Sequence, residues 1–199
     1  MDASGAFGTF GCALLGLAVL LTAVRVERLS RRGVRLAIAL ILALVLFVPL
    51  GDLPAAAYVR SVTGDPGVST LFLAGAACLA RLGGRVPIGE RDRRALWWLL
   101  AGAALFLYPA ALGLTGFDPY ALGYGSPAFA TALLLIALAA WRAGLNAVVL
   151  VLVVAAFAYL LGVYESRNLW DYLLDPLGCG YALVRLISRR ESTRAAPAS

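Results

Sequence analysis

The stretch FGTFGCALLGLAVLLTAVRVERLSRRGVR, residues 7–35, decides how the chain is read: an apolar run, residues 7–24, passes directly into Arg25, Arg28, Arg31, Arg32 and Arg35. As a helix rising 1.5 Å per residue, the run spans about 27 Å, close to the hydrocarbon thickness of a bilayer. Arginine blocks flanking apolar spans mark the cytoplasmic side, so this junction is expected inside and Met1 outside. The segment before the run carries Asp2 and no basic residue, and no small-residue cleavage site follows the run. It reads as a retained anchor rather than a cleaved signal.

The same alternation recurs along the chain. Residues 36–50 make a second apolar run, broken by Pro49, Gly51 and Pro54, with Asp52 and Arg60 in the connector that follows. Residues 68–82 make a third, ending in Arg81, Arg85, Arg91, Arg93 and Arg94. Residues 95–115 make a fourth, with Trp97 and Trp98 expected at its inner interface; residues 128–141 and 147–163 make the fifth and sixth, separated by Arg142 and a Gly144–Asn146 turn.

Residues 169–187 are ambiguous, because Asp171, Asp175, Pro176 and Arg185 interrupt them. They form either a seventh span or an external interfacial helix. Leaving Arg185, Arg189, Arg190 and Arg194 outside would violate the charge rule, so the crossing is favoured. The expectation is an all-α, polytopic transmembrane bundle of about seven spans, N-terminus outside and C-terminus inside. Residues 1–191 form a single membrane-embedded domain and residues 192–199 a disordered tail.

Composition agrees with this class. The 199 residues are 62% hydrophobic and 14% charged, with a mean hydropathy of +0.87, outside the range of soluble domains. All seventeen basic residues are arginine, and fifteen of them border the apolar runs on the expected inner side. The net charge of +6 therefore points to membrane lipids and not to nucleic acid. In the expected topology seven acids face two arginines outside, a net −5, and fifteen arginines face four acids inside, a net +11. Orientation rules explain the arginines but say little about the acids.

Three external acids precede proline: Asp65, Asp118 and Asp175. Asp65 and Asp118 read as helix caps, since aspartate accepts from a helix's first amides and proline needs no partner there; Ser126-Pro127 repeats the device. Asp175 reads differently, because a helix beginning at Asn168 would enclose Asp175-Pro176 and kink there. In such a helix Asp171 and Asp175 stand one turn apart on one face, where they repel and favour a bound cation, an arginine partner or a shared proton. Arg60 and Arg167 are the available external cations.

Aromatic residues interleave with these acids, among them Tyr58, Phe117, Tyr120, Tyr124, Tyr164, Trp170 and Tyr172. They fit an interfacial belt, or a surface for a sugar, an amine or a cationic headgroup. The residues marked as ligand- or partner-binding candidates are Asp171, Asp175, Asp118, Asp52, Arg60, Arg167, Tyr120, Tyr124 and Trp170.

The chain has no histidine and no lysine, which excludes His-based triads, bis-histidine haem and lysine Schiff bases. No P-loop, GxSxG or dinucleotide fingerprint is present. Cys12, Cys78 and Cys179 lie singly in apolar runs and read as small core residues; no metal and no cofactor is expected. Spans one to six carry no acid or base at mid-membrane, which weakens a transporter reading. The first expectation is a bacterial inner-membrane accessory or scaffold protein whose acidic, aromatic external face binds a membrane protein or a lipid headgroup. The second is an enzyme acting on a lipid-linked saccharide or phospholipid through external carboxylates, and the third a small cation channel or carrier.

Overall fold

The computed structural model describes residues 3–86 and 88–194. These residues form nine α-helices and one two-stranded hairpin, so the chain is all-α. Seven helices run for 14 residues or more: α1 (Ala3–Val24), α2 (Arg32–Leu46), α4 (Val68–Arg81), α5 (Glu90–Ala111), α6 (Pro127–Arg142), α7 (Asn146–Leu160) and α9 (Pro176–Arg194). Two are shorter, α3 (Ala55–Thr63) and α8 (Leu169–Leu173). The residues 195–199 of the expected tail lie outside the described residues.

Each helix ends where the sequence punctuates it. After α1, Arg25 takes a left-handed conformation (φ 53°) and starts a 3-10 turn, Val26–Arg28, that reverses the chain. After α2 the prolines confine pairing to a minimal hairpin, β1 (Pro49–Leu50) against β2 (Leu53–Pro54). Gly51 at φ 80° supplies the turn that a residue with a side chain would resist. Tyr58 ties the hairpin to α3 by donating to the Leu50 carbonyl at 2.7 Å. At the start of α6 the Ser126 hydroxyl accepts from the Phe129 amide and Pro127 occupies the first turn, as expected from Ser-Pro.

The helices pack in two groups. In one, α1 contacts α2, α3 and α4, burying Leu21, Val26 and Cys78. In the other, α5 packs along α9 and α7, and α7 also meets α6 and α8, around Leu96, Trp97, Leu100, Val151 and Tyr172. The α4–α7 contact joins the groups. α9 runs antiparallel to α5, since Cys179 near its start lies 3.9 Å from the Tyr108 hydroxyl, whereas Arg185 reaches Trp97 near the start of α5.

One expected feature is corrected here: residues 169–187 do not form one helix. α8 ends at Leu173, Leu174 is extended (φ −128°, ψ 150°), and α9 begins at Pro176. The break obeys the steric demand of proline for a non-helical neighbour and a first-turn position. The two tryptophans near the start of α5 face different ways: Trp97 turns into the bundle, where it is fully buried, and Trp98 out of it, where it is exposed.

Apolar side chains also cover the outside of the bundle. Leu40, Ile41 and Leu44 on α2, Leu134, Leu135 and Leu138 on α6, and Phe157 and Leu160 on α7 are all exposed. α7 is apolar on both its buried and its exposed face, a pattern that needs apolar surroundings on every side. Among the described residues, two helices suffice by length and composition to cross a membrane, Ser4–Val24 and Glu90–Ala111, and three further apolar helices are shorter.

Candidate functional site

The acids and aromatics singled out in the sequence gather at one end of the bundle, where the starts of α4, α6 and α9 meet the connectors around residues 64–67, 116–126 and 161–175. Local chemistry builds this acid-rich end from the segment Tyr164–Asp175, which folds back over the helix termini. Asn168 is fully buried. Its side-chain oxygen accepts from the Trp170 amide at 3.0 Å and starts α8, while its side-chain amide donates to the Tyr120 carbonyl at 2.9 Å. The Trp170 ring nitrogen donates to the Pro119 carbonyl at 2.9 Å, and its ring lies 4.3 Å from that of Phe129 on α6.

Tyr172 is also fully buried, its hydroxyl within 3.1 Å of the Tyr164 carbonyl and 3.0 Å of the Ser166 carbonyl. Tyr164 in turn donates to the Pro66 carbonyl at 2.8 Å, joining the segment to the start of α4. Burial holds the Tyr164 and Tyr172 hydroxyls protonated above the usual tyrosine range. Tyr120 shifts the same way through burial and its bond to the Asp171 carboxylate.

The carboxylates separate into distinct roles. Asp175 is buried and accepts from the Gly178 amide at 2.8 Å and the Gly67 amide at 2.9 Å, thereby joining the starts of α9 and α4. Asp171 accepts from the Tyr120 hydroxyl at 2.9 Å and the Ser166 hydroxyl at 2.5 Å. Because Leu174 breaks the helix between them, the two acids do not form the expected stack on one helical face, and the repulsion argued from that spacing has no structural basis.

Asp65 does not cap α4, whose cap residue is Gly67 without a side-chain bond. It pairs with Arg60 instead, Nε to Oδ1 at 2.6 Å, and Arg60 reaches Glu165 at 3.3 Å. The bond to Asp65 holds the guanidinium proton even more tightly than usual. A side chain at Gly8 of α1 would run into this Arg60–Asp65 pair. Asp118 is not at a helix cap either: it accepts from the Tyr120 amide at 2.9 Å, one residue ahead of Pro119, the cap position of the 3-10 turn Tyr120–Gly123.

The remaining candidates lie at the rim. Asp52 at the hairpin tip and Arg167 are exposed, and Tyr124 is exposed with its ring edge-on to Tyr120 at 5.7 Å. Sequence reasoning missed Asn168, Ser166 and Tyr164 as the nodes of the network. Asn168 at the head of the largely apolar Leu-Trp-Asp-Tyr-Leu stretch was the available signal, as a helix cap.

Chemically the inner carboxylates of this end are satisfied by hydrogen bonds, while the Thr70 hydroxyl at the start of α4 is buried without a hydrogen-bond partner among the described residues. Hydroxyls hold Asp171, backbone amides hold Asp175 and a guanidinium holds Asp65. Among the described residues, no three acidic, cysteine or histidine side chains are placed to share a metal ion. A cleft of about 350 Å³ lies elsewhere, between α1, α4 and α9. No family model, no curated protein and no solved structure matches this chain.

Proposed function

We propose that this chain is a multi-pass protein of a bacterial inner membrane, crossing seven times through α1, α2, α4, α5, α6, α7 and α9, with the acid-rich end outside and the arginine-rich end inside. The exposed leucines, isoleucine and phenylalanine of α2, α6 and α7 support the membrane assignment, because soluble monomers rarely expose apolar surface so continuously. The shorter helices of 14–16 residues reach roughly 21–24 Å as helices. Local thinning of the bilayer and snorkelling of the flanking arginines accommodate the difference.

Within that membrane it acts as an accessory or scaffold protein whose external end docks a membrane-protein partner. The observation that carries this reading is that Asp65, Asp171 and Asp175 are engaged by internal partners, while the rim around them, with Asp52, Asp118 and Tyr124, is exposed. A base of internally bonded acids with an exposed polar and aromatic rim suits recognition better than acid–base chemistry, which needs a carboxylate positioned against a bound substrate and not one spread on an open rim.

Mild solubilisation of native membranes, purification of the protein and identification of what accompanies it test this function. A stoichiometric protein partner that is lost in Asp52→Arg or Tyr124→Ala is the expected result. Purified protein that stays alone, or that turns over a lipid-linked substrate, overturns the scaffold reading.

A further inference from the structure

The cleft between α1, α4 and α9 has a definite origin in the fold. At the acid-rich end α9 is tied to α4, because Asp175 bonds the Gly67 amide and the Ser69 hydroxyl donates to the Leu173 carbonyl at 2.5 Å. Gly178 lies so close there that an added Cβ would meet the Thr70 hydroxyl. From that point α9 follows α5. The space left beside α4 is closed on its other side by Leu15, Ala18 and Val19 of α1.

Its walls are apolar except for Thr70 at the acid-rich end and the arginine-rich end, where Arg81 and Arg185 line it beside Thr22 and Tyr181. Arg185 stands over the rings of Trp97 and Tyr181, at 5.3 and 5.9 Å, an arrangement that positions a guanidinium without neutralising it. The carboxylate nearest Arg81 is Glu27, at 3.9 Å, and the Arg81 Nε atom is buried without a hydrogen-bond acceptor. The cleft thus pairs an apolar channel with two cationic groups at one mouth. Eleven residues separate Thr70 from Arg81 on α4, a length of roughly 16 Å along the helix.

We infer that this cleft binds an anionic phospholipid of the inner leaflet, one acyl chain lying along α4 and the phosphate held between Arg81 and Arg185. This rests on the proposed membrane orientation, in which that mouth lies at the cytoplasmic headgroup level. Charge decides the occupant. A zwitterionic lipid offers no net charge to two guanidinium groups, and a partner's apolar helix would bury Arg185 without a carboxylate or phosphate to pair with.

Native mass spectrometry of the detergent-solubilised protein, titrated with phosphatidylglycerol or phosphatidylcholine of equal chain length, tests it. Phosphatidylglycerol is expected to be retained in preference. Arg185→Gln should weaken that retention about fivefold, and Ala77→Phe, which fills the cleft one turn from Arg81, should abolish it. Arg142→Gln, at an exposed arginine outside the cleft, should leave it unchanged.

Equal retention of both lipids, equal losses in Arg142→Gln and Arg185→Gln, or full retention in Ala77→Phe would each overturn the inference. So would photocrosslinking from position 77 that captures a protein helix and no lipid. Alkaline carbonate extraction of cell membranes separates the two levels of failure. Protein released by carbonate defeats the membrane reading itself, whereas retained protein without lipid preference defeats the lipid site alone.

Discussion

The carboxylate of Asp175 accepts the backbone amide of Gly67, 108 positions earlier in the chain, at 2.9 Å, while its other oxygen accepts the Gly178 amide at 2.8 Å. One buried side chain therefore begins its own helix and fixes that helix against the start of another. Charged acceptors serving buried amides are among the stronger hydrogen bonds in proteins, and removing one leaves its donors unpaired.

Asp175→Ala is accordingly expected to destabilise the protein by about 3 kcal/mol, with Asp175→Asn costing roughly half, since the amide keeps one acceptor oxygen. Asp171→Asn should cost about 1 kcal/mol, because the Tyr120 and Ser166 hydroxyls retain an acceptor. Thermal unfolding in mild detergent, beside membrane abundance, measures all three. Wild-type stability in Asp175→Ala would show that the junction of α4 and α9 does not depend on this residue.

The helices were legible in the sequence because local rules produce them. Arginine blocks, Gly and Pro end the apolar runs, and Ser126-Pro127 starts α6 where capping chemistry says it should. Within residues 169–187, Asp175-Pro176 ends one helix and starts the next instead of kinking a continuous one, because the residue before proline resists the helical conformation and proline suits the first turn. The partner of Asp175 on α4 was not legible. The cap of α4's first residues arrives from a segment more than a hundred positions away, and no local pattern encodes such a contact. Arg81 and Arg185 read only as interface charge, since their shared cleft exists only after α9 has packed along α5.

Gly123 and Asn168 should behave as one unit. A Cβ at position 123 would run into the Asn168 side-chain oxygen and approach the Trp170 ring at 2.8 Å. Gly123→Ala is expected to cost about 2 kcal/mol through overpacking. Asn168→Ala should cost about 2 kcal/mol through lost buried bonds. The double variant should lose less than both together, because the shortened side chain vacates the space. A double-mutant cycle by thermal unfolding checks this, and strict additivity would mean that the two positions do not share that space.

Alkaline conditions should loosen the acid-rich end before the rest. Tyr164, Tyr172 and Tyr120 hold their protons above the ordinary tyrosine range, the first two through burial and Tyr120 through burial and Asp171. A raised folded-state value means that the native protein binds the proton more tightly than the unfolded chain does. The associated stability is therefore whole below about pH 10 and falls as pH rises through and beyond it. Tyr164→Phe should flatten this fall while lowering neutral-pH stability by about 1 kcal/mol, since the Pro66 carbonyl loses its donor. Unfolding midpoints measured from neutral to strongly alkaline pH would contradict the account if the variant kept the wild-type slope.

The direction of α9 makes the topology testable at a single position. Arg185 lies over Trp97 near the start of α5, so the far end of α9 must emerge beside Glu90 and Arg91, at the opposite end of the bundle from Asp118. Cys12, Cys78 and Cys179 are buried, and replacing them gives a background for single cysteines at exposed positions. Cysteines at Asp52 and Asp118 should react with an impermeant maleimide on intact cells from which the outer membrane has been removed. Those at Arg91, Arg142 and Ser188 should react only after the inner membrane is opened. Labelling of position 188 from outside, with position 91 still protected, would place the two ends of the α5–α9 pair on opposite sides and refute α9 as the seventh crossing.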